Sequence, residues 1–179
     1  MDTIQAIMTR RSIRQYKDTP VTDQQLKTLL EAVQWAPSWA NSQCWEIIVV
    51  KDPAVKEQLA GALFPGNPST EAVKNAPIVI VGCAKKGSAG YYKGQASTSK
   101  GDWLMYDLGL AMENLVLAAH SMGLGAVHLG AFNPEAAEKV LGVPEGYTIV
   151  AMTPVGVPAA DSRAPKRRAI EEFVHYDKF

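Results

Sequence analysis

Asp102–Met122 reads DWLMYDLGLAMENLVLAAHSM, and this stretch decides what kind of fold the chain can adopt. Leu104, Leu108, Leu110, Ala111, Leu115, Val116, Leu117, Ala118 and Ala119 leave it almost no polar face. A helix apolar all round has to be covered all round. Asp107, Glu113, Asn114 and His120 interrupt the run, which makes it a buried helix rather than a membrane span. Gly123 follows at the position where helices turn out of register. One sheet in a chain of 179 residues can cover only part of such a helix. The rest is expected to pack on a second copy through a large, core-like interface. The alternative is that the helix lies at the centre of one subunit.

The elements around it can be read outward. Upstream, Pro77–Cys83 is an apolar, β-branched run and is expected to be a buried strand, as is Trp45–Lys51. Asp52-Pro53 combines a capping side chain with a proline at the first helical position and opens a helix through Leu63. Thr22 with Gln25 fits a capping box, and Leu26, Leu29, Leu30 and Val33 follow at helical spacing up to Pro37. A short opening helix carries Ile4, Ile7 and Met8 on one face, capped by Asp2 or Thr3 and ending near Arg10–Ser12. Downstream, Ala126–Gly130 is expected to be a strand, Asn133-Pro134 to open a helix closed by Gly142, and Tyr147–Val155 to be a fourth strand. Phe64–Ser69 reads as a loop, and Lys85–Lys100 as a long mobile one of the sort that often serves as a lid. The whole is an α+β pattern: one mixed β-sheet flanked by helices, in a single domain spanning 1–179. The last residues, 170–179, carry Phe173, Val174, Tyr176 and Phe179 and are expected to dock as an arm on a partner subunit.

Composition narrows the function. Eighteen basic residues balance eighteen acidic ones, which argues against nucleic acid as a partner. Cys44 and Cys83 stand far apart with no metal-ligand or redox spacing, and the expected setting is reducing and cytoplasmic. The opening MDTIQAIMTRR lacks a long apolar run and is expected not to be a signal peptide. Serine-hydrolase elbows, Walker loops and zinc motifs are absent. Gly123 and Gly125 follow a helix instead of a strand, so no dinucleotide fingerprint is present. His120, His128 and His175 share no ligand spacing, and no metal is expected.

Three segments could carry chemistry. Arg10-Arg11-Ser12-x-Arg14 offers bidentate guanidinium donors and a hydroxyl, the combination a phosphate monoester needs. The same arginines could simply complement the carbonyl end of the opening helix. Lys166-Arg167-Arg168 gains weight as a second basic cluster only if it converges on the first. Pro37-Ser38-Trp39-Ala40-Asn41-Ser42-Gln43-Cys44-Trp45 sets amides and hydroxyls that could read the edge of a planar heterocycle beside apolar groups that could cover its face. It could equally be a capped turn with core tryptophans.

Together these segments resemble the nitroreductase family of flavoproteins. Arg10-Arg11-Ser12-x-Arg14 is similar to the family's opening signature, and Pro37-Ser38-x-x-Asn41-Ser42-Gln43-x-Trp45 to its second motif. Ala76-Pro77, Gly123-Leu124-Gly125 with Gly130-Ala131-Phe132, and Ile170–Tyr176 match later segments in order. Cys44 stands where the family usually has proline, and His128 where an aromatic or proline is common. The resemblance implies a domain-sharing homodimer with one FMN in each of two interface sites. Arg10, Ser12 and Arg168, with Arg167, would hold the phosphate, Arg11 would be a further cofactor-binding residue, and Arg14 would sit near the pyrimidine edge. Pro37, Ser38, Trp39 and Asn41 would reach the partner's flavin, Gln43 would be a further cofactor-binding residue, and His128, Leu129 and Gly130 would pass over the ring.

The implied activity is transfer of electrons from NADH or NADPH through FMN to a small acceptor such as a nitroaromatic or quinone, in ping-pong order. The isoalloxazine carries that chemistry, so no catalytic nucleophile or base is expected. Trp39, Tyr91, Tyr92 and Trp103 are candidates for stacking over an open face. A non-turnover flavin carrier or sensor, a reductive dehalogenase branch and a flavin-cleaving branch are the alternatives.

Overall fold

A computed structural model describes residues 1–179. Four strands form an antiparallel sheet in the order β1-β2-β6-β5: β1 (Trp45–Val50), β2 (Ile78–Lys85), β6 (Tyr147–Gly156) and β5 (Gly125–Ala126). Strand β2 lies at its centre and is buried on both faces because its residues alternate between two cores. Ile78 and Ile80 pack with helices α2 (Asp23–Gln34) and α5 (Leu104–Ser121). Val79, Val81 and Cys83 pack on the opposite side with α3 (Pro53–Gly61) and α6 (Pro134–Leu141). The period of two along a strand therefore serves two helix layers at once.

Local signals hold where they are chemically explicit. Asp2 caps α1 (Thr3–Thr9), and Thr22 and Gln25 form a reciprocal capping box. Asp52 and Asn133 cap their helices ahead of Pro53 and Pro134. Gly142 closes α6 in the left-handed region.

Two expectations change, and one element was not expected. Residues 70–75 form a six-residue helix, α4 (Thr70–Asn75), too short for its periodicity to stand out. The expected strand Ala126–Gly130 pairs with β6 only at Gly125–Ala126 and again at a single bridge, Leu129 with Met152. Leu129 and Met152 exchange both backbone hydrogen bonds. The next such pair along the ladder would face Val127 with Pro154, which has no N–H to give. The stretch Lys85–Lys100 is not an unstructured loop; it folds into a hairpin of β3 (Tyr91–Tyr92) and β4 (Gln95–Ala96).

Helix α5 is covered on one side. Leu108, Ala111, Met112, Leu115, Val116 and Ala119 are buried, whereas Met105 and Tyr106 are 63% and 59% exposed. Ile4, Ile7 and Met8 of the neighbouring α1 also face outward, so an apolar surface runs across both helices. No helix is long and apolar enough to cross a membrane.

Candidate active site

The segment after α1 lies along the edge strand β5. Ser12 bridges Ala126 in parallel, and Ile13 N–H donates to the Ala126 carbonyl at 3.0 Å. The approach is close enough to require a glycine: a Cβ on Gly125 would sit 2.6 Å from Ile13 Cγ1. Tyr16 pins the far end by donating its hydroxyl proton to the carbonyls of Ile13 (2.6 Å) and Pro154 (3.0 Å). Burial pushes that phenol well above its ordinary range, despite Arg14 nearby. This anchoring places the arginine signature beside residues 128–130.

Arg10, Arg11, Ser12 and Arg14 line a cleft of about 270 Å³ with Ser162, Arg163, Pro165 and Arg167, and no hydrophobic residue contributes to it. The two basic clusters of the sequence thus converge. Arg163, which the sequence reading passed over, belongs to the set; a lone arginine in a proline-rich tail carried no signal of its own. Arg168 does not line the cleft: its guanidinium donates to the Glu172 side chain and carbonyl and lies 5.6 Å from the Phe173 ring centre. Arg11 does what the plainer reading of these arginines expected, donating to the carbonyls of Met8 (2.9 Å) and Arg10 (2.7 Å) at the end of α1. Arg14 donates to the buried Ser69 hydroxyl at 3.0 Å.

One carboxylate pairs with an arginine of this positive edge, and Asp161 lines the adjoining hollow with Arg14 and Arg163. Glu113 of α5 lies 3.5 Å from Arg10 Nε and 3.6 Å from His128 Nε2, and His128 Nδ1 is 3.0 Å from the Thr153 hydroxyl. A polar chain Arg10–Glu113–His128–Thr153 therefore joins the cleft to the 128–130 segment. His120 sits beneath, 2.8 Å from the Thr9 hydroxyl, and burial together with Arg10 and Arg11 lowers its pKa. That keeps a further positive charge away from the cluster. Leu129 is buried and holds the segment to β6, while Gly130 is exposed.

The second motif is built differently. Ala40, Asn41 and Gln43 all have positive φ (46°, 56° and 45°), costing on the order of 1–3 kcal/mol each. The loop tolerates this because Asp107 of α5, only 1% exposed, holds it from below. The Asp107 carboxylate accepts from Trp39 N–H at 2.9 Å, the Ser42 hydroxyl at 3.4 Å and the Cys44 thiol at 3.9 Å. Gln43 N–H donates to the Ser38 hydroxyl (2.9 Å), and the Gln43 side chain to Asn41 (3.2 Å). Burial, and then the Asp107 carboxylate, push the Cys44 thiol up to about 11, which disfavours the reactive thiolate. Pro37, Asn41 and Gln43 remain exposed, and Trp39 packs on Trp103 with ring centres 5.1 Å apart and planes tilted by 42°. Asp107 was visible in sequence only as a break in an apolar helix.

The fold is thus an antiparallel sheet flanked by helices, with an arginine-lined cleft at the sheet edge. Comparison with known proteins narrows this. The model of the nitroreductase family matches residues 7–157, and the chain belongs to that family. It is 31% identical to an FMN reductase [NAD(P)H] of Bacillus subtilis, over 99% of this chain and 74% of that one. It is 29% identical to an NADH dehydrogenase of Thermus thermophilus, over 97% and 95% of the two chains. Among solved structures, an FMN-dependent nitroreductase of Clostridium difficile superposes with a TM-score of 0.82 at 27% identity, covering 98% of this chain and 99% of that one.

Proposed function

We propose that this protein is an NAD(P)H-dependent FMN oxidoreductase that works as a homodimer. The carrying observation is the convergence of Arg10, Arg11, Ser12 and Arg14 with Arg163 and Arg167 on one cleft without hydrophobic lining. Such a donor set, with Glu113 as its sole ion-pair partner, fits a phosphate dianion, so the residues present suit the FMN phosphate. The names of the Bacillus and Clostridium proteins support the same cofactor.

Arg10, Ser12 and Arg167 hold the phosphate, and Arg11 contributes while closing α1. Arg14, kept in place by Ser69, offers a cation at the adjoining edge. His128, Leu129 and Gly130 border the ring. Pro37, Ser38, Trp39, Asn41 and Gln43 face the flavin of the second subunit, presented on the Asp107-held loop. When bound, FMN supplies the redox chemistry, accepting a hydride equivalent from NADH or NADPH and passing electrons to a small acceptor such as a nitroaromatic or quinone. Side chains bind, orient and shield; none is required as a nucleophile or general base.

The exposed apolar face of α1 and α5 and the exposed Ile170, Phe173, Tyr176 and Phe179 support a second copy as the missing cover. The arm 170–179 docks on that copy. Two free, buried cysteines accord with a reducing, cytoplasmic setting. Purified protein should be yellow with an FMN spectrum, turn over NADH or NADPH with a quinone, and sediment as a dimer. A colourless protein that neither binds added FMN nor oxidises either donor would refute the proposal, and a flavin-loaded protein without turnover would reduce it to a carrier.

A further inference from the structure

The segment Lys85–Lys100, KKGSAGYYKGQASTSK, carries four lysines and no acid in a chain whose charges balance at eighteen each. Lys85, Lys86, Lys93 and Lys100 are all exposed, and none takes part in an ion pair. Two carboxylates stand nearby. Asp102 is engaged by the backbone N–H groups of Gly87 (2.7 Å) and Leu104 (3.0 Å). Glu145 lies on the turn whose Gly146 carbonyl accepts from Lys86 N–H, at the base of the segment. Lys93 at the tip and Lys100 on the returning arm have no counter-charge of their own.

The hairpin is mounted rigidly. Its turn uses positive φ at Lys93 (49°) and Gly94 (78°), which suits the twist of the two strands. Ala89 at its base is fully buried with Cys44, Ala84 and Leu104, and Trp39 and Trp103 pack on this same small core. A Cβ on Gly90 would sit 2.5 Å from Trp103 Cδ1, so base and indole are in direct contact. Ser97 N–H closes onto the Gly90 carbonyl at 2.8 Å, and Trp103 N–H onto Ala89 at 3.1 Å. The basic arm and the loop proposed to face the flavin therefore share one support, so the arm stands next to that loop.

We infer that this hairpin selects the nicotinamide donor by charge, favouring one that bears a 2′-phosphate, with Lys93 and Lys100 as specificity-determining residues. The inference rests on the proposed NAD(P)H-dependent reading and names the donor that reading leaves open. A phosphate monoester carries about −1.5 to −2 at neutral pH. The two donors are otherwise identical, so a local positive potential acts on their difference. Lysines on an exposed arm give compact point charges with no bidentate geometry, and their effect is chiefly on encounter and binding. Screening confines it to roughly 8–10 Å at ordinary salt, the neighbourhood of the arm.

The test mixes FMN-loaded protein anaerobically with NADPH or NADH and follows bleaching of the flavin band. A parallel equilibrium measurement compares adenosine 2′,5′-bisphosphate with 5′-AMP on the oxidised holoprotein. The native protein should be reduced about tenfold or more faster by NADPH at low salt, and the ratio should shrink as salt is added. The double variant K93Q/K100Q should bring the ratio close to one and abolish the preference for the bisphosphate, with FMN content unchanged. K93R/K100R should keep both. A native ratio near one, or a ratio that survives K93Q/K100Q, overturns the inference while leaving the flavin reading intact. No bleaching by either donor overturns that reading and the inference with it.

Discussion

The Arg10–Arg14 edge and the Pro37–Cys44 loop both carry clustered polar residues, yet they are organised in opposite ways. Along the edge, the backbone is tied to β5, while the arginines line a cleft with Glu113 as their one ion-pair partner. In the loop, the backbone is strained at three residues and the polar groups satisfy one another around Asp107. The edge leaves arginine donors open to the cleft; the loop uses its hydrogen bonds to hold its own shape and presents a surface. Binding energy and architecture are thus divided between neighbouring segments.

The comparison breaks first at the edge. Arg10→Ala combined with Arg167→Ala should weaken FMN binding by about 3 kcal/mol or more, over a hundredfold in Kd, since each charge-assisted contact is worth about 1.5–3 kcal/mol. Fluorescence titration of apo-protein checks this. Arg168→Ala, whose guanidinium is engaged by Glu172, should cost markedly less than Arg167→Ala; equal losses would place both arginines on the phosphate.

At the loop, Asp107→Ala should lower stability by about 2 kcal/mol, because the Trp39 N–H loses its partner inside the protein. For a chain of this size that is roughly 4–8 °C in Tm. Calorimetry should show the loss while FMN affinity at the edge falls far less, and equal damage to both would erase the division between the regions. Arg14→Gln tests their boundary. It should weaken FMN by only about 0.5–1 kcal/mol, as its side chain is exposed, and should lower the flavin reduction potential by removing a cation beside the ring. An unchanged potential in spectroelectrochemical titration would move Arg14 away from the ring.

The smallest effect concerns the thiols. Burial raises Cys44 and Cys83 to about 11, with Asp107 the next cause for Cys44 and Glu138 for Cys83. The folded state therefore prefers the protonated thiols. Their contribution is fully present below the ordinary thiol pKa of about 8.5 and is lost as pH rises towards 11. Native protein should resist alkylation at neutral pH, with activity intact, and should lose stability in the alkaline range. Replacing both cysteines by alanine should flatten that alkaline slope.

Much of this architecture was legible in the residues. The capping box at Thr22 and Gln25, the Asp52-Pro53 and Asn133-Pro134 starts and the Gly142 stop act within one helical turn, so local chemistry suffices to read them. The arginine signature and the Pro37–Trp45 segment were recognisable as chemistry-bearing from residue type and spacing. Less legible was whatever depends on two distant segments meeting. Pro154 interrupts a ladder only because it comes to face Val127, and Lys85–Lys100 becomes a hairpin because Ala89 and Gly90 find Cys44 and Trp103.

By itself the sequence determined every α-helix but α4, the caps at Asp2, Thr22, Asp52 and Asn133, the central buried strand, the apolar excess of α5 and the clustered arginines. These follow from side-chain chemistry and periodicity, which act over a few residues. Only the tertiary structure decided that Arg163 and Arg167 join the first arginine cluster while Arg168 turns to Glu172. Only it decided that Asp107 carries the strained loop, and that one side of α5 is left open. Each of these is a choice among partners far apart in the chain, and packing, not local propensity, makes it.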